Sequence, residues 1–393
     1  MRIIWITQTD FNENLDIATW QEMAFELKKL GNKVKLLIPA LKNKKSLSVE
    51  NLDVSFLPYP RNFFLSSISF QFSLFFYLLF KVIFKDYNYV ILDHYCVLTT
   101  FPFNILSKLR IIKTKFVLDI RSIPVDTFGI QDKIHILRFK LSIYLCKYLF
   151  DGFTVITPLY RDKIAKDYGI EKERMGIWTS GVSLKLFNPK SVKSLREKFK
   201  LMDKFVVMYH GGISISRGIA DAVKAVELLR DEIPELCFFI LGRGNVENEL
   251  KRFVAENGLE NNIIIHDPVE YDIVPIFIGM CDVGLLPLPD LLWWRMSSPL
   301  KLMEYLAMGK PVILTKIDAH LQIIKERKCG IFIDSSNPLD IKDGILRAYN
   351  LRGNLKEIGY SGIELVEEEF TWEKQAKKFY EYLKKVERLK QNF

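Results

Sequence analysis

The run from Ser297 to Val312 reads SSPLKLMEYLAMGKPV and concentrates residue types that can hold an anion and a diol. Ser298 is a favourable N-cap and Pro299 suits the first helical position, so the run predicts a helix to Met308, stopped at Gly309. A helix start presents unpaired backbone N–H groups and the positive end of the helix dipole, which together attract phosphate. Glu304 falls within the first two turns, where a carboxylate can accept hydrogen bonds from two neighbouring hydroxyls. Taken singly, each element is equally what a capped helix with a surface glutamate looks like; the block as a whole points to a binding site.

Two glycine loops lie upstream, and taken alone each reads equally as a tight turn with surface side chains. His210-Gly211-Gly212-Ile213-Ser214-Ile215-Ser216-Arg217-Gly218 ends with a cation beside a helix start, and Leu241-Gly242-Arg243-Gly244 is a tight turn whose backbone a ligand could approach. Each follows a strand pattern: Phe205–Tyr209 and Leu236–Leu241, with a helix over Ile219–Leu229 between them. This strand, loop, helix, strand order is the βαβ unit of a parallel sheet. Near the start of the chain the order recurs, with Arg2–Thr7, the polar loop Gln8–Asp16, a helix carrying Ile17, Trp20, Ala24, Leu27 and Leu30 up to Gly31, and Val34–Ile38. Further short apolar runs at Tyr89–Leu92, Phe116–Ile120 and Phe153–Ile156, then at Ile263–Ile265, Val283–Leu286, Val312–Leu314 and Gly330–Ile333, read as strands covered on both faces. The expected fold class is α/β, two doubly wound Rossmann-like domains facing a cleft. The first domain is placed at 1–188 and the second at 189–365, the charged stretch Asn188–Lys204 serving as junction. A charged helix over about Trp372–Leu389 lies within 366–393 and is expected to pack back on the first domain. Ligands of such sheets bind outside the carboxyl ends of the strands, so the loops just named are the ones that would face them.

Composition bounds the partners. At 393 residues the chain suits two cores better than one. Its net charge of +9 is spread along the sequence and favours anionic partners; with no nucleic-acid-binding module present, phosphate-bearing small molecules and acidic membrane surfaces rank ahead of nucleic acid. The cysteines at 96, 146, 237, 281 and 329 are odd in number and never closely paired, which reads as buried thiols in a reducing compartment, with neither disulfides nor a metal site. Met1–Thr9 runs directly into a strand pattern and not into a signal peptide. Phe63 to Phe80 is uncharged and rich in Phe, Leu and Ile, but Ser66, Ser67, Ser69, Gln71 and Ser73 interrupt it, so a membrane-spanning helix is disfavoured. The segment 58–85, with Arg61, Lys81 and Lys85 at its ends, is either an inner face of the first domain, the reading ranked first, or a helix resting on a bilayer.

In the second half these motifs carry a specific resemblance. Pro299-x-Lys301-x-x-Glu304-Tyr305-x-Ala307-x-Gly309-Lys310-Pro311-Val312 resembles the donor-site block of retaining glycosyltransferases of family 4, with the GT-B fold. The resemblance implies that Glu304 holds the donor's ribose hydroxyls and that the helix start, with Ser297, Ser298, Pro299 and Leu300, carries its diphosphate. The Gly211–Gly218 loop is similar to the family's Gly-Arg-x-x-x-x-Lys-Gly; Arg217 stands for the Lys, keeping the charge with donor geometry suited to phosphate, and Gly212 stands for the Arg, one charge fewer. Gly242 and Gly244 resemble the family's Gly-x-Gly turn. Gly181-Val182-Ser183 with Phe187 and Pro189, and Phe370-Thr371-Trp372, resemble its hinge and closing segments. The family's second Glu, eight residues before Glu304, is Met296 here, and Asp290 is wrongly spaced to replace it; Ser297, Ser298, Lys301 or backbone groups would then meet the sugar.

What this implies is a metal-independent glycosyltransferase of the hexosyltransferase type, acting in the cytoplasm or on the inner face of the cell membrane, in glycan or polysaccharide biosynthesis. Its catalytic groups would be Arg217, Lys301 and Glu304, its partners a nucleoside-diphosphate sugar and a glycan or lipid-linked acceptor, and no cofactor is called for. In the first half, where the resemblance is weaker, His94, Asp119 and Arg121 are the acceptor-side candidates; His94 reads equally as a structural residue, and Asp119 and Arg121 as partners of one another. A nucleotide-sugar epimerase and a non-catalytic subunit of the same architecture are the competing readings.

Overall fold

Short apolar runs can be buried on both faces only inside a parallel sheet covered by helices, and a computed structural model shows two such sheets. It describes residues 1–8, 17–40, 52–60, 63–82, 87–122, 130–191 and 195–389. Arg61 and Lys85, two of the charges flanking the apolar segment, lie outside them, as does most of the loop after the first strand.

The first unit comprises Met1–Thr179 and Trp372–Phe393. Its elements run β1 (Arg2–Ile6), α1 (Ile17–Lys29), β2 (Lys33–Pro39), β3 (Asp53–Leu57), α2 (Phe63–Val82), β4 (Tyr89–Leu92), α3 (Val97–Lys108), β5 (Lys115–Ile120), α4 (Ile130–Leu149), β6 (Gly152–Val155), α5 (Pro158–Tyr168) and β7 (Met175–Ile177). All seven strands pair in parallel, in the order β3-β2-β1-β4-β5-β6-β7. The order reverses at β1, so right-handed crossovers put α1 on one face and α2 through α5 on the other; accordingly α2 touches α3, α3 touches α4 and α4 touches α5.

The second unit, Ser180–Thr371, runs β8 (Phe205–His210), α6 (Ile219–Leu229), β9 (Leu236–Leu241), α7 (Glu247–Glu256), β10 (Ile263–His266), α8 (Val274–Met280), β11 (Val283–Leu286), α9 (Leu292–Arg295), α10 (Leu300–Ala307), β12 (Val312–Thr315), α11 (Asp318–Ile324), β13 (Gly330–Ile333), α12 (Pro338–Asn350) and α13 (Leu355–Glu369). The strand order is β10-β9-β8-β11-β12-β13, again all parallel. The last helix, α14 (Trp372–Leu389), returns to the first unit and lies against α1 and β7. Phe379 there stacks within 5.3 Å of Trp5 and 5.6 Å of Trp178.

The division between units falls at Thr179/Ser180 and not at 188, and the charged stretch after Asn188 is no linker. Val182 and Phe187 are buried in the second core, and Val182 N–H bonds Phe370 O. Arg196 reaches across to Asp282 at 2.6 Å and donates to Met280 O and Lys204 O, so a cation that looks solvated in the sequence ties together the amino-terminal ends of the central strands β8 and β11. The second boundary falls at Thr371/Trp372 rather than at 365, because α13 continues to Glu369 with Leu365, Val366 and Phe370 in the second core. The apolar segment is α2, where Phe70, Leu74 and Leu78 are buried while Ile68, Phe72, Phe76 and Phe80 are exposed; it is neither all core nor all surface. None of the described helices is long and apolar enough to cross a membrane. All five cysteines are buried thiols.

Candidate active site

The glycine loop after β8, the turn after β9 and the start of α10 meet at the carboxyl edge of the second sheet. Backbone contact alone accounts for two of the glycines. Gly211 N–H bonds Leu241 O and Ile213 N–H bonds Arg243 O; a Cβ on Gly242 would sit 1.9 Å from Gly211 O, and one on Gly244 1.8 Å from Ile213 O. Gly242 and Gly244 therefore let the two loops lie on one another. Gly211 has φ +114° and leaves the space that the Lys301 side chain fills, since a Cβ there would be 2.3 Å from Lys301 Cε.

Lys301 and Arg217 reach the same aromatic residue from different elements. Lys301, in the first turn of α10, brings Nζ to 5.6 Å from the Tyr209 ring. Arg217 closes the short helical turn Ile215–Arg217, with its guanidinium 4.8 Å from the Trp294 ring, and its charge is felt at the Tyr209 hydroxyl. Trp294 is tied in place by its indole N–H on Ser216 O at 2.8 Å, and Tyr209 by its hydroxyl on Gly212 O at 2.7 Å. Gly212, where an arginine is expected from the resemblance, is open: a Cβ would meet only Arg217 Nε, at 3.7 Å.

The start of α10 differs from the sequence expectation. The helix begins at Leu300, Pro299 occupies the N-cap position, and no side chain caps it. Ser298 is engaged elsewhere: its Oγ accepts from Ser180 N–H at 3.1 Å, while Ser180 Oγ donates to Ser298 O at 2.6 Å. Ser297 likewise spends its hydroxyl on Trp294 O. The opening turn is instead closed by backbone, Leu302 N–H bonding Pro299 O at 3.1 Å. Leu300 is half-buried at that first position.

Glu304 is 2 % exposed on the inner side of α10. Burial pushes its carboxyl up to about 7, opposed by the Tyr271 hydroxyl and the Lys301 ammonium. Oε2 lies 3.3 Å from His210 Nε2, whereas Oε1 has no hydrogen-bond partner. His210 is itself buried, and burial with the Lys301 charge drives it well below its ordinary value, so the imidazole is neutral near pH 7. The sequence reading passed over His210 and Tyr271. The only signal for His210 was its place, the last residue of a strand just before the glycine loop; nothing local marked Tyr271. Met296 is buried, and Asp290 is spent on Arg295 at 2.7 Å, so neither supplies a carboxylate to the site.

In the first unit the three acceptor-side candidates come together at the ends of β4 and β5, neighbouring strands with Leu92 opposite Leu118. His94 lies 4.0 Å from the Tyr95 ring and 5.1 Å from Phe139, and burial lowers it to about 4; its Nε2 has no partner. Asp119 accepts from Thr154 Oγ1 at 2.7 Å and burial raises it to about 6, opposed by the Arg121 charge. Arg121 lies 3.5 Å over Trp178 and donates to its carbonyl oxygen at 2.8 Å. The nearest ordered polar network joins Gln8, Ser67 and Gln71 to the Tyr95 carbonyl. Among the described residues no group of His, Cys, Asp or Glu is arranged to hold a metal.

The sequence match to known proteins lies in the second unit. Residues 191–365 match the family model of glycosyl transferases group 1. The chain is 27 % identical over 229 residues to a D-inositol 3-phosphate glycosyltransferase of Paenarthrobacter aurescens, covering 56 % of this chain and 54 % of that protein; it spans about half the length of the curated relatives it matches. Among solved structures it resembles Alr3699/HepE of Anabaena in complex with UDP, with TM-score 0.75, 14 % identity and coverage of 98 % and 100 %. It also resembles a glycosyltransferase of Rickettsia africae, with TM-score 0.73, 15 % identity and 98 % of each chain covered. Residues 191–365 are thus similar to the group 1 glycosyltransferase domain, and the two parallel-sheet Rossmann-like units match the GT-B fold.

Proposed function

We propose that the protein transfers a hexosyl-type sugar from a nucleoside-diphosphate sugar to a saccharide or lipid-linked acceptor, with retention at the anomeric carbon. One observation carries the reading: Lys301 and Arg217, from separate elements, converge beside an uncapped helix start on the same helix as the buried Glu304. A diphosphate placed there meets two cations and the positive end of the helix dipole, and a ribose diol meets the carboxylate. As the bond from the anomeric carbon to the phosphate oxygen breaks, negative charge gathers on the diphosphate, where Arg217, Lys301 and the α10 dipole stabilise it. This chemistry asks for no metal or cofactor, since the leaving group is neutralised by the chain's own cations. Supporting the donor class, the Anabaena protein was solved with UDP. His94, Asp119 and Arg121, at the carboxyl edge of the first sheet, are assigned to the acceptor. We place the enzyme in glycan biosynthesis on the cytoplasmic side, with the segment 58–85 meeting the membrane surface.

The test is a thermal-shift panel of nucleotide sugars and nucleoside diphosphates, followed by an assay for slow donor hydrolysis. One nucleotide-sugar class should raise the melting temperature and be hydrolysed. Arg217→Ala should then weaken the nucleoside diphosphate by about tenfold or more, for a lost charged hydrogen bond at about 1.5–3 kcal/mol, and leave the free nucleoside unchanged. A protein that no nucleotide sugar stabilises is not this enzyme.

A further inference from the structure

Helices α2, α3 and α4 lie side by side on one face of the first sheet, so their outward sides share one surface of the unit. That surface is apolar where a solvated helix would be polar. On α2, Ile68, Phe72, Phe76 and Phe80 recur every fourth residue and are 41–65 % exposed, while Phe70, Leu74 and Leu78 face the sheet. On α4, the outward residues are Ile134, Leu137, Leu141, Tyr144 and Tyr148. Between them, α3 ends in Leu109 and Ile111, both about two-thirds exposed. Contiguous exposed apolar surface of this extent marks an interaction site.

The charges say what it meets. Lys108, Arg110, Lys113, Lys133 and Lys140 are exposed among these apolar residues. The sequence has no Asp or Glu in 63–82 or 97–113 and a single one in α4, Asp132 at its start, although the chain carries 47 acidic residues. A second copy docked through the same face would set these cations against their own equivalents, which like-charge repulsion disfavours. We propose that the combined outer face of α2, the α3 end and α4 is a docking surface for an anionic lipid bilayer, the aromatic and aliphatic side chains entering the headgroup boundary and the lysines and arginines pairing with lipid phosphate. This extends the reading of 58–85 from one flanked helix to a three-helix face. It rests on the surface alone and not on which sugar is transferred.

The inner sides of the same helices hold the acceptor-side residues. Gln71 of α2 donates to Tyr95 O and to Gln8 Oε1, and Thr99 of α3 donates to Gln71. From α4, Arg138 donates to Tyr95 O, Ser142 donates to His94 O, and Phe139 packs on the His94 ring. The same three helices thus carry the apolar and basic face on their outer sides and hold the acceptor-side turn from their inner sides.

The experiment is co-sedimentation of the full chain with vesicles of phosphatidylcholine alone and of equimolar phosphatidylcholine and phosphatidylglycerol. Binding is expected to the anionic vesicles only, weakened by salt. Arg110→Gln with Lys113→Gln should lower the partition about thirtyfold at low salt, two charges at about 1 kcal/mol each. Leu137→Ser with Leu141→Ser on α4 should lower it about tenfold or more, as should Phe72→Ser with Phe76→Ser on α2. Nucleotide affinity in the second unit and the circular dichroism spectrum should be unchanged in all three variants, which separates lost docking from lost folding. Equal binding to neutral vesicles, or a wild-type chain that stays in the supernatant with both, overturns the proposal. So does an α4 variant that binds as wild type, or a dimer in light scattering that the α4 variant turns into a monomer. Failure here leaves the nucleotide-sugar reading standing, since that is tested without lipid.

Discussion

The proposed role needs Glu304 as a carboxylate, and the residue lies where ionisation is costly. Its folded pKa, about 7 against an ordinary 4.5, fixes the sign of the pH effect. Below 4.5 it is protonated in both states. Between 4.5 and 7 the unfolded chain gives up the proton and the folded chain keeps it, so stability falls by about 3 kcal/mol and stays lower above 7. His210 acts in the opposite sense, buried neutral, so the loss it causes at low pH is recovered as pH rises toward 6.5. Glu304→Gln isolates the first term. Denaturant titrations should show the variant gaining on the wild type from pH 4.5 to 7, and parallel curves would mean the carboxylate is not desolvated. The same variant should lose nucleotide-sugar affinity at pH 8, where the native carboxylate is ionised. Glu304, Arg217 and Lys301 could be singled out from the sequence because each sits in a motif with a fixed spacing, and the structure brings their elements together at one strand edge. His210 and Tyr271 were not, because what brings them to Glu304 is the packing of strand and loop ends, which no local pattern encodes.

At the scale of elements, the helix start was predicted one residue early and with the wrong cap. Ser298 followed by Pro299 has the spacing of a cap, and only the fold shows that Ser180, remote in sequence, takes its hydroxyl. The two reciprocal bonds pin α10 to the segment that opens the second unit. Ser180→Ala should remove the shorter of them and leave the buried Ser298 carbonyl unsatisfied, at about 1–3 kcal/mol. Calorimetry should show the second unit's transition alone shifted, and nucleotide affinity should fall with it. The central strands were readable because they are apolar throughout. Both outer strands of the first sheet were missed for a physical reason: β3 reads DVSFL with a half-exposed face, and β7 is MGI, three residues long. An edge strand need not be covered on both faces, so its sequence loses the continuous apolar signal.

For the whole molecule, the strand alternation declared two sheets, but the ownership of segments lay in burial. The charges of 188–204 concealed Arg196's anchoring role and the buried Leu201. The first unit depends on α14 for its core: Phe379 is wedged against Trp5 and Trp178, and Tyr382 accepts Phe153 N–H while donating to Arg174 O. Phe379→Ala should cost about 3–5 kcal/mol. Followed by scanning calorimetry, the loss should fall on the first unit's transition and leave the nucleotide-stabilised transition of the second in place. A shift of both, or of neither, would refute this division.

The interruption of the first unit at Thr179 and its resumption at Trp372 bear on how the chain is made. A ribosome adds about 5–20 residues per second, so the segment ending at Thr179 waits roughly 10–40 s for the helix that closes its core. Through that interval the second unit is finished first, although its synthesis begins later. A chain ending before Trp372 would hold every residue of the second unit but lack Phe379 and Tyr382, which pack in the core of the first.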